Sequence, residues 1–263
     1  MKKMLSLALA LLLAACCLPF LFSCKKEEKK LILGFDATYP PYGYLDEATG
    51  KYVGFDLEYA QKVCDNLGYK LELLPIEWES KDEQLKTGAI DFIWNGFTYE
   101  GREEAYEWSD RYLNNSIVVL VKSDSGISAL SDLAGKIVTV QSKSSGETAL
   151  SEKSDLVASF KNGKYELDAD YTAAFNRLSA GAVEAIVVDV GVAEYLIRDK
   201  AGYKILNEQI STETYGVGFL KGNTALRDEI NAEMKKIATE NPDFIKGLCK
   251  KYGVSYDAFT LGK

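Results

Sequence analysis

The chain has 263 residues, 47% of them hydrophobic, which is enough to bury a substantial core as one large domain or as two smaller lobes. Its formal net charge of −8 argues against nucleic acid as a partner, because binding to phosphates needs a basic surface. The sequence contains no histidine, which removes a required group from Ser-His-Asp, Cys-His and zinc-hydrolase chemistry, and we predict neither a metal nor a cofactor.

An export signal is predicted for residues 1–23, in which two lysines precede an apolar run rich in Leu and Ala. The run ends in Leu-Phe-Ser before Cys24, which resembles a bacterial lipoprotein cleavage box, so Cys24 is the predicted lipidated residue. Cys16 follows a similar box and is one alternative, and a retained transmembrane anchor is another. Residues 24–30 form a charged tether. We therefore predict an exported protein, lipid-anchored to the extracellular or periplasmic face of the cell membrane.

The first predicted strand, Leu31 to Asp36, is an apolar run that ends in an acid. A loop with two prolines follows and carries Tyr39 and Tyr42, which either face a ligand or pack back on the protein. Asp36 likewise has two interpretations. It faces a cleft beyond the end of its strand, or it caps the proline-containing loop.

The helix predicted from Asp56 to Leu67 has Asp56 as its N-cap and Cys64 on its apolar face. Cys249 lies in a predicted C-terminal helix. Because the other cysteines belong to the signal and its anchor, we expect Cys64 and Cys249 to be buried free thiols, with a disulfide bridge as the alternative.

One pattern occurs twice in the chain. Residues 85–93 and 178–188 share the order leucine, two residues, Gly-Ala, a β-branched residue, an acid and an apolar run. Gly88 and Gly181 each lie where a helix needs a left-handed residue at its end, and each apolar run is short enough for a strand buried on both faces. The repeat therefore predicts two α/β lobes.

Polar residues follow both copies of this pattern. The first is followed by Asn95, Gly96, Phe97, Thr98 and Arg102, and the second ends in Asp189. Ligands of open α/β sheets bind beyond the carboxyl ends of strands, so an arginine in one lobe and an aspartate in the other suit a zwitterion. The alternative role for Asp189 is to cap the helix that follows it.

Two apolar segments are candidates for the connection between the lobes. They are Leu113 to Val121 and the returning segment Thr212 to Leu220, and they divide the chain into a first lobe of residues 31–116 and 215–263 and a second lobe of residues 117–214. The helix predicted from Thr224 to Glu240 has one apolar face and is expected to pack back against the first lobe. In the second lobe, the polar turn at Ser145 offers N–H groups and hydroxyls to an anion, or serves as a plain N-cap.

Several motifs in order then resemble a known family. They are Gly34 to Tyr42, Val53 to Leu57, Gly88 to Thr98 with Arg102, and Trp108 to Asp110. The chain resembles, over about residues 31–252, the extracellular solute-binding proteins for polar amino acids that serve ABC importers. The resemblance implies a two-lobed periplasmic-binding-protein type 2 fold, in which two α/β lobes are joined by two crossover hinge strands. It also implies a monomer that closes on an amino acid and presents it to a membrane permease.

The resemblance assigns a role to each candidate residue. Arg102 holds the α-carboxylate, helped by Thr98, the Gly96 N–H and Ser145, while Asp189 holds the α-ammonium. Tyr39 and Trp78 flank the side chain of the ligand, and Asp36 receives its distal polar or cationic group. The predicted binding residues are Asp36, Tyr39, Trp78, Asn95, Gly96, Phe97, Thr98, Arg102, Ser145 and Asp189.

The sequence departs from the family at two places. Three residues separate Thr98 from Arg102 where the family usually has four, so Arg111 is a fallback for the carboxylate anchor. Lys143 occupies the position of the family's usual glycine.

The acid at Asp36 and the net charge favour a neutral or basic polar L-amino acid over glutamate or aspartate. Alternative functions are a dehydratase of the cyclohexadienyl dehydratase type on the same fold and a detached sensory domain.

Overall fold

The computed structural model describes residues 29–263. The predicted signal peptide and Cys24 lie outside these residues. Within them, no helix combines the length and the apolar character that a membrane span requires. The chain forms a mixed α/β protein with two lobes, each built around its own sheet, which confirms the predicted fold class.

The first lobe contains a five-stranded sheet and a small three-stranded sheet. The five-stranded sheet has the order β5-β1-β6-β14-β7 and is formed by β1 (Lys30–Phe35), β5 (Lys70–Pro75), β6 (Phe92–Ile93), β7 (Tyr106–Trp108) and β14 (Gly218–Leu220). The small sheet consists of β2 (Thr38–Tyr39), β3 (Gly43–Asp46) and β4 (Lys51–Val53). Four helices complete the lobe: α1 (Phe55–Leu67), α2 (Lys81–Lys86), α7 (Thr224–Glu240) and α8 (Pro242–Tyr252).

The second lobe is built on a six-stranded sheet in the order β10-β9-β11-β8-β12, in which β13 also pairs with β8. Its strands are β8 (Leu113–Lys122), β9 (Val138–Gln141), β10 (Glu166–Asp168), β11 (Ala185–Asp189), β12 (Tyr203–Ile205) and β13 (Ser211–Tyr215). Its helices are α3 (Ser145–Ser151), α4 (Ser154–Ser159), α5 (Tyr171–Ala180) and α6 (Val190–Ile197). The strand β11 is buried along its whole length, as expected for a strand covered on both faces.

Two antiparallel segments connect the lobes. The strand β8 pairs with β13 from Ile117 opposite Ser211 to Leu113 opposite Tyr215. The pairing continues into the first lobe, where the Tyr112 N–H donates to the Tyr215 carbonyl at 2.8 Å. The returning chain then forms β14 and α7, and α7 packs on α1 of the first lobe as predicted.

The two copies of the sequence repeat have similar backbone geometry. Gly88 and Gly181 both have left-handed φ angles, +74° and +75°, and Gly181 ends α5. The strand formed by the apolar run of the first copy, β6, is only two residues long, whereas the corresponding strand of the second copy, β11, has five. The repeated pattern therefore places a polar segment at the end of a strand in each lobe.

The structure corrects two local predictions and confirms a third. The segment predicted as one returning strand is interrupted, since β13 ends at Tyr215 and β14 begins at Gly218. Asp56 lies inside α1, whose N-cap is Gly54. Its carboxylate is buried and accepts hydrogen bonds from the Tyr112 hydroxyl and the Gly96 N–H. The side chain therefore holds distant parts of the first lobe together and does not cap the helix. The prediction for Cys64 and Cys249 is confirmed, because both are buried free thiols.

Candidate functional site

A cleft between the two lobes contains most of the predicted site residues. The space left open between its residues is small, about 10 Å³. The first lobe contributes Tyr39, Trp78, Asn95, Gly96, Thr98 and Arg102, and the second lobe contributes Gln141, Ser144 and Ser145. A larger depression of about 740 Å³ lies elsewhere and contains the fallback Arg111. The predicted residues therefore come together across the lobes and apart from that depression.

Arg102 extends from the loop after β6 towards the second lobe. Its Nη1 donates to the Thr98 carbonyl at 3.2 Å, and its Nη2 donates to the Lys143 carbonyl of the second lobe at 3.4 Å. Arg111 is exposed, and its guanidinium carbon lies 5.0 Å from the centre of the Tyr99 ring. Of the two arginines, Arg102 is the one that faces the cleft, in spite of the short spacing from Thr98.

The backbone N–H of Gly96 is hydrogen-bonded within the first lobe. Its N–H donates to the Asp56 carboxylate at 2.6 Å, which corrects the expectation that this N–H is available to a ligand. The φ angle of Gly96 is +57°, and a Cβ at this position would lie 2.8 Å from Cε1 of Tyr39. Glycine is required both by the left-handed conformation and by the close approach of the tyrosine ring.

Asp189 ends β11 deep between the lobes and is 1% exposed. Its Oδ1 accepts the Tyr215 hydroxyl at 2.5 Å and the Asn115 amide at 2.8 Å, so the side chain is turned to the hinge strands rather than to its own helix. Its Oδ2 is buried and has no hydrogen-bond partner among residues 29–263. A buried carboxylate oxygen without a donor is costly, and a cation is the group that satisfies it best.

Tyrosine rings surround this carboxylate. Tyr39, Tyr42 and Tyr171 pack with ring centres 5.7 and 5.9 Å apart, and Tyr215 lies edge-on to Tyr42. Burial, together with the charge of Asp189, raises the pKa of each of these hydroxyls well above its usual value, so they stay neutral. Tyr39 thus packs on other rings and also lines the cleft, whereas Tyr42 is buried against other rings.

The structure adds a second acid that the sequence did not single out. Asn115 donates its amide to Glu213 Oε1 at 2.7 Å as well as to Asp189, and it faces Glu213 directly in the pairing of β8 with β13. Burial and the neighbouring charge of Asp189 raise the pKa of Glu213 well above its usual range. The hinge strands and the Asp189 pocket therefore share one hydrogen-bond network.

Asp36 caps its own loop and also contacts the second lobe. Its Oδ1 accepts the N–H and the hydroxyl of Thr38, at 2.8 and 2.6 Å, which caps the loop. Its Oδ2 accepts the amide of Gln141 from the second lobe at 2.8 Å. Asn95 receives the Asp36 N–H at 2.8 Å, while its own buried amide nitrogen has no partner within the described chain. Burial raises the pKa of Asp36.

The remaining predicted residues divide into two groups. Trp78 and Ser145 line the cleft, and the cap of α3 is Ser144, whose hydroxyl accepts the Glu147 N–H at 3.2 Å. Phe97 is not among the residues that line the cleft but packs against Arg102, whose guanidinium carbon lies 5.3 Å from the centre of the Phe97 ring. Its ring is fully buried in the first lobe, edge-on to Trp78 with ring centres 5.5 Å apart.

Comparison with known proteins identifies similar chains. The sequence pattern of the bacterial extracellular solute-binding proteins, family 3, matches residues 31–254. The chain is 29% identical to the L-cystine-binding protein TcyJ of Escherichia coli (strain K12), over 81% of this chain and 80% of that protein. It is also 29% identical to the arginine-binding extracellular protein ArtP of Bacillus subtilis (strain 168), over 96% and 98% respectively.

A solved structure is similar along most of its length. It is the substrate-binding protein of an ABC uptake transporter from Streptococcus pneumoniae with bound histidine. The TM-score is 0.83 at 27% identity, and the match covers 88% of this chain and 94% of that one. The similarity thus includes both lobes and the cleft between them.

Proposed function

This chain belongs to the bacterial extracellular solute-binding proteins, family 3, and on that basis we propose that it captures a polar L-amino acid between its lobes and presents it to the permease of an ABC transporter. The relatives named above are binding proteins for cystine and arginine, which favours solute capture over dehydratase chemistry. In this proposal residues 31–116 and 215–263 move as the first lobe and residues 117–214 as the second.

The arrangement of opposite charges carries the proposal. Arg102 lies on the first lobe and faces the second, while Asp189 lies on the second lobe with one buried oxygen free of any donor from residues 29–263. An α-carboxylate fits the planar guanidinium, and an α-ammonium supplies the donor that Asp189 needs. Because one ligand then bridges both lobes, its binding favours the closed arrangement over the open one.

The remaining cleft residues suit the side chain of the ligand. Tyr39 and Trp78 offer aromatic faces to an aliphatic or cationic group. Asp36 and Gln141 meet across the cleft and provide an acceptor and an amide. This set supports a neutral or basic polar amino acid and disfavours glutamate and aspartate.

Calorimetry of the exported fragment against the twenty amino acids, cystine and ornithine tests this function. One neutral or basic amino acid should bind tightly, and the absence of binding by any of them would overturn the proposal. Arg102→Ala and Asp189→Ala should each weaken binding by about two to four orders of magnitude, since breaking a buried charge pair costs roughly 3 to 5 kcal/mol. Arg111→Ala is the matched control and should bind like the wild type, because Arg111 is exposed outside the cleft.

Lipid anchoring through Cys24 is the second part of the proposal, and it is supported by the sequence alone. Cys24→Ala should move the protein from the membrane fraction into the soluble fraction. Release by Cys16→Ala instead would assign the anchor to the earlier cysteine.

A further inference from the structure

Lys81 is a buried lysine for which the proposed function has no use. It is the first residue of α2 and is 3% exposed. Its Nζ lies 3.4 Å from the Trp78 carbonyl, 3.5 Å from the Lys143 carbonyl and 5.0 Å from the centre of the Trp78 ring. Among residues 29–263, none of the ion pairs within 4.0 Å includes Lys81. Its ammonium therefore depends on two long hydrogen bonds to neutral oxygens.

Arg102 reaches the same oxygen as Lys81. Its Nη2 lies 3.4 Å from the carbonyl of Lys143, so two cations of the first lobe converge on one acceptor of the second lobe. Lys143 has a φ angle of +53°, a left-handed conformation that is sterically unfavourable for a residue other than glycine. The acceptor that the two cations share is thus an uncharged carbonyl on a strained residue.

The surroundings of Lys81 leave its charge undercompensated. Burial and the positive charges of Arg102 and Lys143 lower its pKa to about 8, and the acids at Asp82 and Glu79 oppose this only in part. A carboxylate between the two cations would supply the missing negative charge, and hydrogen bonds to a charged acceptor are stronger than those to a carbonyl.

We propose that Lys81 is a second carboxylate-binding residue, which acts with Arg102 on the α-carboxylate of the ligand. The inference rests on the proposed function and extends it, because it makes the carboxylate end of the cleft a pair of cations rather than a lone arginine. A ligand oxygen takes the place that the Lys143 carbonyl occupies between them. The opposing interpretation is that Lys81 only ties the lobes together through that carbonyl.

The two interpretations differ in their dependence on the ligand's carboxylate. The test compares the amino acid that the wild type binds most tightly with the α-carboxamide of the same amino acid. Lys81→Met should weaken binding of the amino acid about ten- to hundredfold, the value of one hydrogen bond to a charged group. It should change carboxamide binding much less, and Lys81→Arg should keep most of the affinity for the amino acid.

Lys86→Met is the matched control, because Lys86 is an exposed lysine at the other end of the same helix. Its affinities should equal those of the wild type. If Lys81→Met weakens binding of the amino acid and of its carboxamide equally, Lys81 has only a structural role and the inference is wrong. If the variant loses no affinity for the amino acid, the inference is wrong as well. If Arg102→Ala and Asp189→Ala also bind normally, the proposed function fails as well.

A measurement on the wild type makes the test independent of the variant's folding. A bound carboxylate raises the pKa of Lys81, so binding at pH 8.5 should take up protons and affinity should fall as the pH rises above about 8. Calorimetry in two buffers of different ionisation enthalpy measures this uptake. Proton uptake in Lys81→Met should decrease to the part that the α-ammonium of the ligand contributes, and equal uptake in the variant and the wild type would count against the inference.

Discussion

Glu213 provides a test of how the buried acids in the hinge affect stability. Glu213 is 6% exposed, lies beside Asp189 and shares the amide of Asn115 with it. Burial and the charge of Asp189 raise its pKa well above the usual value, so the folded protein keeps a proton that the unfolded chain releases above about pH 4.3. Above that pH, the contribution of Glu213 to the free energy of unfolding falls as the pH rises.

The magnitude follows from proton linkage. One proton held only by the folded state lowers the free energy of unfolding by about 1.4 kcal/mol for each pH unit between the unfolded and the folded pKa. Glu213→Gln removes this proton and keeps an oxygen that accepts from Asn115. The free energy of unfolding of the variant, relative to the wild type, should therefore increase by about 1.4 kcal/mol between pH 5 and pH 6.

Urea unfolding of the ligand-free protein, followed by tryptophan fluorescence at pH 5, 6 and 7, measures this difference. Taking the difference between the two proteins cancels the titration of groups that they share. Glu240→Gln is the control, because Glu240 is exposed at the end of α7, and its difference from the wild type should not depend on pH. If the Glu213→Gln and wild-type stabilities change in parallel with pH, Glu213 is ionised in the folded protein and the reasoning is wrong.

Three further predictions follow from the cleft and the hinge. Gly96→Ala should lower the melting temperature more than Gly101→Ala. Both glycines have positive φ angles, but only at Gly96 would the new Cβ meet another group, Tyr39, at 2.8 Å. Equal effects would show that the Tyr39 ring can move away without a loss of stability. Asp36→Asn should weaken binding of a basic amino acid far more than that of glutamine, as measured by calorimetry, and equal losses would assign Asp36 to the loop alone. Saturating ligand should reduce the radius of gyration in small-angle scattering, and an unchanged value would contradict closure about a hinge.

The two-lobed fold could be predicted because its signals are local. Short apolar runs that end in Asp36 and Asp189 mark strand ends, and Gly88 and Gly181 mark the helix ends before the repeated strands. Local signals of this kind depend on a few neighbouring residues, so they can be recognised without knowledge of the tertiary structure.

Phe97 and Asp56 show the limits of such local signals. Along an extended chain alternate side chains point to opposite sides, so the ring of Phe97 enters the core while Gly96 and Thr98 line the cleft. Asp56 has the residue type of an N-cap, but it is buried against the Gly96 N–H, 40 residues away in the sequence. Neither outcome can be derived from residue type and spacing alone.

The contacts that the sequence could not reveal are those between distant strands. Glu213 lies 98 residues from Asn115, and Gln141 lies 105 residues from Asp36. Such pairs are set by the register of β8 on β13 and by the closure of one lobe on the other, and nothing in either sequence segment specifies its partner. Of these residues, Gln141 had the one usable signal, because it is a polar residue at the end of an apolar strand, as Asp36 and Asp189 are.

The position of Asn115 links ligand binding to the hinge. Asn115 lies on β8 and Glu213 on β13, and these two strands are the ones that run between the lobes. The side-chain amide of Asn115 donates to Glu213 on the opposite strand and also to the Oδ1 of Asp189. The Oδ2 of Asp189 has no hydrogen-bond donor among residues 29–263. In the proposed function, an α-ammonium that satisfies Oδ2 fixes the carboxylate to which Asn115 donates. The ligand then stabilises one geometry of the strands about which the lobes move, in addition to bridging the lobes through Arg102.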